Sequence, residues 1–113
     1  MGVRENKVEK YLDEQVTLLG GITRKWISPG VDGVPDRIAF VPTRVEDIIS
    51  RLSALPKGTL VADIYLVEVK TNDGVESSAQ KLESGRLTDV GANVSTVFGD
   101  YGVDVFIEYV KSR

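Results

Sequence analysis

Two short segments hold residue types from which a hydrolytic metal site could be built. Pro35 and Asp36 directly precede a strand-like run, RIAFV, and Glu68 and Lys70 lie two residues apart at the end of another, DIYLVEVK. Carboxylates are the side chains that usually hold Mg²⁺, and a lysine ammonium can bind an anion or help to deprotonate a water molecule. An acid from each run beside one lysine would therefore suit metal-assisted hydrolysis.

Each segment alone also has a simpler explanation. Glu68 and Lys70 could form an exposed ion pair at a solvated strand end, a contact worth at most about 1 kcal/mol. Asp36 follows a proline, and aspartate is common in turns, where it accepts hydrogen bonds from backbone N–H groups. Only the combination of the two segments gives the catalytic interpretation weight.

The composition narrows the chemistry that is available to the chain. It has neither cysteine nor histidine, which excludes disulfides, thiolate or histidine metal sites and Ser-His-Asp catalysis. Its 113 residues, 42% of them hydrophobic, suffice for one core, and we expect a single domain over 1–113. The net charge of -3 argues against nucleic-acid binding through bulk positive charge but permits a local carboxylate metal site. Without a long apolar run or a secretory signal, the protein is expected to be cytoplasmic.

The pattern of apolar residues predicts eight elements that must position these side chains. Helices are predicted where apolar residues recur every three to four positions, and strands where β-branched and aromatic residues cluster between turn signals. The predicted helices cover residues 5–19, 43–55, 77–90 and about 103–110, and the predicted strands cover 22–27, 37–41, 63–70 and 94–98. Alternate side chains of a strand share a face, so Glu68 and Lys70 would lie on the same side. The order αββαβαβα predicts an α/β domain.

The arrangement of these motifs resembles that of a known nuclease superfamily. Pro35 and Asp36 at a strand start, followed by Glu68, Val69 and Lys70 at the end of a later strand, resemble the PD-(D/E)XK pattern. The run SPGVDGVPDRI, with a Lys-Trp pair before it and VEVK and a Ser-x-x-Gln helix start after it, is similar more narrowly to the virus-type replication-repair nuclease (VRR-NUC) domain. The resemblance implies a PD-(D/E)XK nuclease-like fold, with a central mixed sheet flanked by helices.

The resemblance also implies a role for each residue of the site. Asp36, Glu68 and the backbone carbonyl of Val69 would hold Mg²⁺ or Mn²⁺. Lys70 would contact the scissile phosphate, or orient the attacking water and help to deprotonate it. The helix-one glutamate of the family corresponds to Glu9, in the sequence VEKYL, and would complete the metal site.

Glu9 and Gln80 each have an alternative explanation. Glu9 belongs to an acidic stripe with Glu5 and Asp13, and acids are preferred near helix N-termini, although this preference explains Asp13 poorly. The family carries a glutamine near the active site where this chain has Gln80, but Ser77 and Gln80 also fit a capping box at the helix start. Both explanations stay open at both positions.

Basic residues beside the predicted site are candidates for nucleic-acid contacts. Lys25, Arg37 and Arg24 flank it, and we expect them to bind phosphate groups. Trp26 is more readily explained by packing in a core or an interface than as a platform on which bases stack.

The resemblance as a whole implies a metal-dependent DNA endonuclease. Stand-alone phage and bacterial members of the family are associated with Holliday junctions and usually dimerise, so we expect branched DNA as the substrate and a homodimer as the active form. One alternative is a restriction-type or flap nuclease of the same superfold, and another is a non-catalytic nucleic-acid-binding module. The segment TRVEDIISRLSALPKG, with a helix inserted at about 43–56 where compact members have a tight turn, leaves the substrate preference open.

Overall fold

The fold is described by a computed structural model that covers residues 3–27, 29–33 and 35–112, with side chains from residue 7 onward. Its helices are α1 (Val3–Leu18), α2 (Val45–Ser53), α3 (Ser78–Asp89) and α4 (Gly99–Lys111), and its strands are β1 (Ile22–Lys25), β2 (Arg37–Phe40), β3 (Leu66–Lys70) and β4 (Val94–Phe98). The predicted order of elements and the α/β class are confirmed. The side chain of Glu5, one member of the acidic stripe, lies outside the described residues.

The chain forms two compact units, Met1–Thr59 and Leu60–Arg113. Unit 1 contains α1, β1, β2 and α2, and unit 2 contains β3, α3, β4 and α4. Among the described residues the strands form two two-stranded sheets, antiparallel between β1 and β2 and parallel between β3 and β4, so one central mixed sheet stays a prediction. A single domain over 1–113 stays a prediction.

In unit 1, a pair of glycines ends α1 and brings it close to β2. Gly20 has a φ of 81°, and the N–H groups of Gly20 and Gly21 donate to the carbonyls of Thr17 and Val16 at 2.9 and 3.0 Å. A left-handed residue at this position is a common way to satisfy the last carbonyls of a helix. A Cβ atom on Gly21 would overlap the carbonyl oxygen of Phe40, so only glycine permits this approach.

The β1–β2 hairpin sets the backbone position of Asp36. The antiparallel register places Lys25 opposite Arg37, at the end of the hairpin where the connecting loop begins and ends. The N–H of Trp26 donates to the carbonyl of Asp36 at 2.8 Å, which continues the pairing one residue beyond the strands. Asp36 is therefore held by its backbone, while the residue as a whole is exposed.

In unit 2, β3 begins later than predicted. The sequence predicted a strand from residue 63, whereas the parallel ladder starts where Leu66 pairs with Val94. The N–H of Leu66 donates to the carbonyl of Asn93 at 2.9 Å, and β4 begins at the next residue, so no residue of β4 lies opposite the preceding segment. Parallel strands need a crossover connection, which α3 provides between β3 and β4.

The last helix, α4, begins four residues earlier than the apolar pattern predicted. Its first turn is Gly-Asp-Tyr-Gly, which lacks the apolar spacing on which that prediction depended. The helix packs against β4, whose Val97 is buried at 4% exposure. The ring of Phe106 also meets Tyr65 edge to face, with 5.4 Å between the ring centroids.

The helix predicted in the inserted segment is present as α2. It covers Val45–Ser53 within the predicted range 43–55, and Ala54 forms its C-cap. Among the described residues, no helix has the length and apolar character needed to cross a membrane.

The close approach at Gly21 yields a test of unit 1. Gly21→Ala is expected to lower the free energy of unfolding by about 2 kcal/mol, because the added Cβ meets the backbone of β2 rather than a movable side chain. Gly85→Ala is the matched control, since Gly85 lies inside α3 with nothing within 4 Å of the added Cβ. It should raise the unfolding free energy by about 0.5 to 1 kcal/mol. Urea unfolding measures the unfolding free energy of both variants. Wild-type stability of Gly21→Ala would contradict the close approach of Gly21 to the backbone of β2.

Candidate active site

In unit 2, two donors hold the carboxylate of Glu68. The side-chain amide nitrogen of Gln80 donates to Glu68 Oε1 at 2.8 Å, and Lys70 Nζ lies 3.5 Å from the same oxygen. The Lys70 side chain is 21% exposed and that of Glu68 is 44% exposed. The predicted placement of Glu68 and Lys70 on one face of a strand agrees with this contact. Because both contacts fall on Oε1, they fix the carboxylate without using Oε2.

Gln80 serves two purposes at the start of α3. Its backbone N–H donates to Ser77 Oγ at 3.1 Å, and its side-chain Oε1 accepts from the N–H of Ser77 at 2.9 Å, which is the predicted capping box. The amide nitrogen of the same side chain reaches Glu68. The capping and active-site explanations of Gln80 are therefore compatible, because an amide offers one acceptor and one donor end.

A groove opens between β3 and α3 beside these residues. Its volume is about 480 Å³, within the usual range of roughly 300–1,000 Å³ for ligand sites, and Glu68 and Gln80 line it. Glu83 and Ser84, on the next turn of α3, also line the groove, and Leu66 contributes an apolar wall. Sequence reasoning missed Glu83, although its position three residues after Gln80 places it on the same helix face.

In unit 1, Arg37 joins two acids of α1 to β2. Arg37 Nη2 lies 3.3 Å from Glu9 Oε2 and 3.7 Å from Asp13 Oδ2. Thr23 of β1 donates a hydrogen bond of 2.5 Å to Asp13 Oδ1. Arg37 and Glu9 were both predicted as site residues, but their pairing, and the part of Asp13 and Thr23, were not predicted. The like-charge spacing of Glu9 and Asp13 was the available signal.

The other predicted phosphate contacts lie on β1. Lys25 is exposed, and Arg24 is partly buried with its Nη1 donating to the carbonyl of Thr23 at 2.7 Å. Trp26, predicted to be a packing residue, is 44% exposed in unit 1.

The predicted site residues thus form two groups, one in each unit. Asp36, Glu9 and the basic residues belong to unit 1, whereas Glu68, Val69, Lys70 and Gln80 belong to unit 2. In the parts of the chain that the structure describes, no group of three or more acidic side chains is arranged to hold a metal ion. A common cation between Asp36 and Glu68 stays a prediction.

Two known proteins are similar to the chain over most of their lengths. "Putative nuclease p44" of Acyrthosiphon pisum secondary endosymbiont phage 1 is 34% identical over 92 residues, which are 81% of this chain and 80% of that protein. A solved structure described as a VRR_NUC domain is 30% identical, and the match covers 95% of this chain and 97% of that one, with a TM-score of 0.39. No protein-family model matches the chain.

Both sequence similarities, at 34% and 30% identity, extend over most of the chain rather than over a short motif. The resemblance first seen in SPGVDGVPDRI and VEVK is therefore confirmed, together with the PD-(D/E)XK-like fold class. The chain belongs to the virus-type replication-repair nuclease (VRR-NUC) family.

Proposed function

We propose that this protein is a nuclease that hydrolyses phosphodiester bonds in DNA with the help of Mg²⁺ or Mn²⁺. The observation that supports the proposal most directly is the Glu68 carboxylate, which Gln80 and Lys70 hold through one oxygen beside an open groove. Family membership and the name of the similar phage protein support a nuclease as well.

The donor atoms of the chain fit a hard divalent cation. Mg²⁺ is usually held by one or two carboxylates, with water and substrate phosphate completing its coordination, so a cluster of three acids is not needed. Glu68 would bind through Oε2, and the exposed Asp36, the carbonyl of Val69 and Glu9 are the further proposed ligands. When bound, the cation would stabilise the negative charge that develops on the phosphate.

Lys70 is proposed to act on the phosphate or on the attacking water. Its side chain is mostly buried, and its contact with Glu68 keeps Nζ beside the proposed metal ligand. From there the ammonium would bind a phosphate oxygen, or orient the water and assist in taking its proton. Gln80 is proposed to keep the Glu68 carboxylate oriented during this step.

The proposed substrate is branched DNA, in particular a four-way junction. Two equivalent strands of such a junction are best cut by two sites related by a two-fold axis, so a homodimer is the proposed active form. Lys25 and Arg24 are proposed to contact phosphates next to the site. Other branched or linear DNA substrates are the alternatives.

The first prediction concerns Asp36 and Lys70. Asp36→Ala and Lys70→Ala are each expected to slow cleavage of a labelled four-way junction in Mg²⁺ by about 100-fold or more, because each removes a group that acts on metal or phosphate. Asp32→Ala and Lys57→Ala are the matched controls, since both residues are exposed and lie outside the proposed site. Wild-type cleavage by Asp36→Ala would refute the site.

The second prediction concerns substrate choice. Four-way junction, flap and linear duplex of equal length, compared at one salt concentration, should be cut in that order of preference, and cleavage should stop in EDTA. Uniform cutting of linear duplex would contradict junction selectivity while leaving a metal-dependent nuclease intact. The absence of cleavage and of any calorimetric signal with Mn²⁺ would favour a non-catalytic module.

The third prediction separates the two purposes of Gln80. Gln80→Glu keeps an oxygen that can accept from Ser77, so the capping box survives, but it replaces the donor to Glu68 with a like charge. Cleavage should fall by about 10-fold or more while α3 stays folded by circular dichroism. Ser77→Ala should do the opposite, lowering the unfolding free energy by about 1 kcal/mol with cleavage within about threefold of wild type. Wild-type cleavage by Gln80→Glu would show that Gln80 acts only as a cap.

A further inference from the structure

Arg37 is enclosed by protein, unlike a typical surface arginine. Its side chain is 24% exposed and its Glu9 partner 19%, whereas the surface pair of Arg44 and Glu46 is 82% and 71% exposed. Arg37 Nε is buried and makes no hydrogen bond. The guanidinium is thus fixed between α1 and the hairpin rather than extended into solvent.

The surroundings of Arg37 explain why it stays there. Glu9 and Asp13 lie one turn apart on α1, and like charges at this spacing repel each other. Arg37 Nη2 stands near both carboxylates, and Thr23 binds the oxygen of Asp13 that Arg37 does not face. If Arg37 turned outward to a phosphate, two partly buried carboxylates would lose their cation, which is costly for partly buried charges.

We propose that Arg37 is a positioning residue of the active site rather than a phosphate contact. Its guanidinium fixes α1, and Glu9 in particular, to the strand position that directly follows Asp36. The backbone N–H of Trp26, directly after β1, donates a hydrogen bond to the carbonyl of Asp36 and so holds the Asp36 backbone in place. Arg37 therefore controls how the acids of unit 1 are presented to a divalent cation. This inference rests on the proposed metal-dependent nuclease.

Lys25 provides the matched comparison. It is the cross-strand partner of Arg37 and carries the same charge, but it is exposed. Arg37→Met and Lys25→Met each remove one positive charge from neighbouring positions of one hairpin. A phosphate contact and a positioning residue are expected to respond differently to that change.

Three measurements distinguish the two roles. Calorimetry with Mn²⁺ alone gives metal affinity, junction binding in EDTA at several salt concentrations gives the salt slope, and cleavage in Mg²⁺ gives kcat and KM. For Arg37→Met we expect Mn²⁺ affinity to fall about fivefold and kcat about tenfold, because the acids of unit 1 lose their orientation. KM and the salt slope should stay unchanged, because no contact with a DNA phosphate is removed. Arg37→Lys should recover part of kcat. Lys25→Met should reduce the salt slope by about 1 and leave Mn²⁺ affinity unchanged.

Other outcomes overturn the inference. A reduced salt slope in Arg37→Met with unchanged Mn²⁺ affinity would identify Arg37 as a phosphate contact. Higher Mn²⁺ affinity in Arg37→Met would show that the guanidinium merely competes with the cation for carboxylates. Unchanged values throughout would leave Arg37 without the proposed role.

A double-mutant cycle of thermal stability tests the contact between Arg37 and Glu9 independently of catalysis. Glu9→Gln should lower the thermal midpoint of the wild type by a few degrees but raise that of Arg37→Met, because Glu9 without its cation is unfavourable. Additive shifts of the thermal midpoint would show that Arg37 and Glu9 do not stabilise each other, which would refute the proposed positioning of α1 by Arg37. If the wild type neither binds Mn²⁺ nor cuts DNA, the proposed function fails, and the sign of this cycle still decides whether Arg37 positions α1.

Discussion

The hydrogen bond from Gln80 to Glu68 is the constraint that joins β3 to α3 in unit 2. The two residues are twelve positions apart, and the bond of 2.8 Å joins β3 to the first turn of α3, which begins at Ser78, one residue after its cap. The capping box fixes that start through two further hydrogen bonds. One side chain thereby takes part in the cap of α3 and orients a carboxylate on another element. Gln80 contributes no charge, so it orients Glu68 without lowering the negative charge available to a cation.

Unit 1 holds its acids by a different means. Asp36 is fixed through its backbone by the ladder to Trp26, whereas Glu9 is fixed through its side chain by Arg37. An exposed ion pair of this length would contribute little, but the low exposure of both partners reduces screening by water and makes the loss of one partner expensive. Both units thus use a donor on a neighbouring element to orient an acid, an amide in unit 2 and a guanidinium in unit 1.

Much of this could be predicted from sequence because the signals were local. Apolar periodicity located α1, α2 and α4, and the capping box fixed the beginning of α3 to within a residue. Predictions at element ends were weaker where the end depends on a partner. The start of β3 is set by where β4 begins, and the first turn of α4 has two glycines and no apolar stripe. The apolar periodicity of one segment shows neither where a partner strand begins nor whether a turn without apolar residues is helical.

The pairing of Arg37 with Glu9 could not be predicted for a related reason. The residues are 28 positions apart, and their contact depends on how α1 packs against the hairpin, where Gly21 leaves room for the backbone of Phe40. The sequence showed an acidic stripe on a helix, and an arginine beside an aspartate at the start of a strand. Each was assigned to the site separately, Glu9 to metal and Arg37 to phosphate. In the structure they neutralise each other in part, so the charge that Glu9 and Asp13 present to a cation is smaller than their number suggests. Predictions of ligand charge from sequence therefore need the counter-ions that folding supplies.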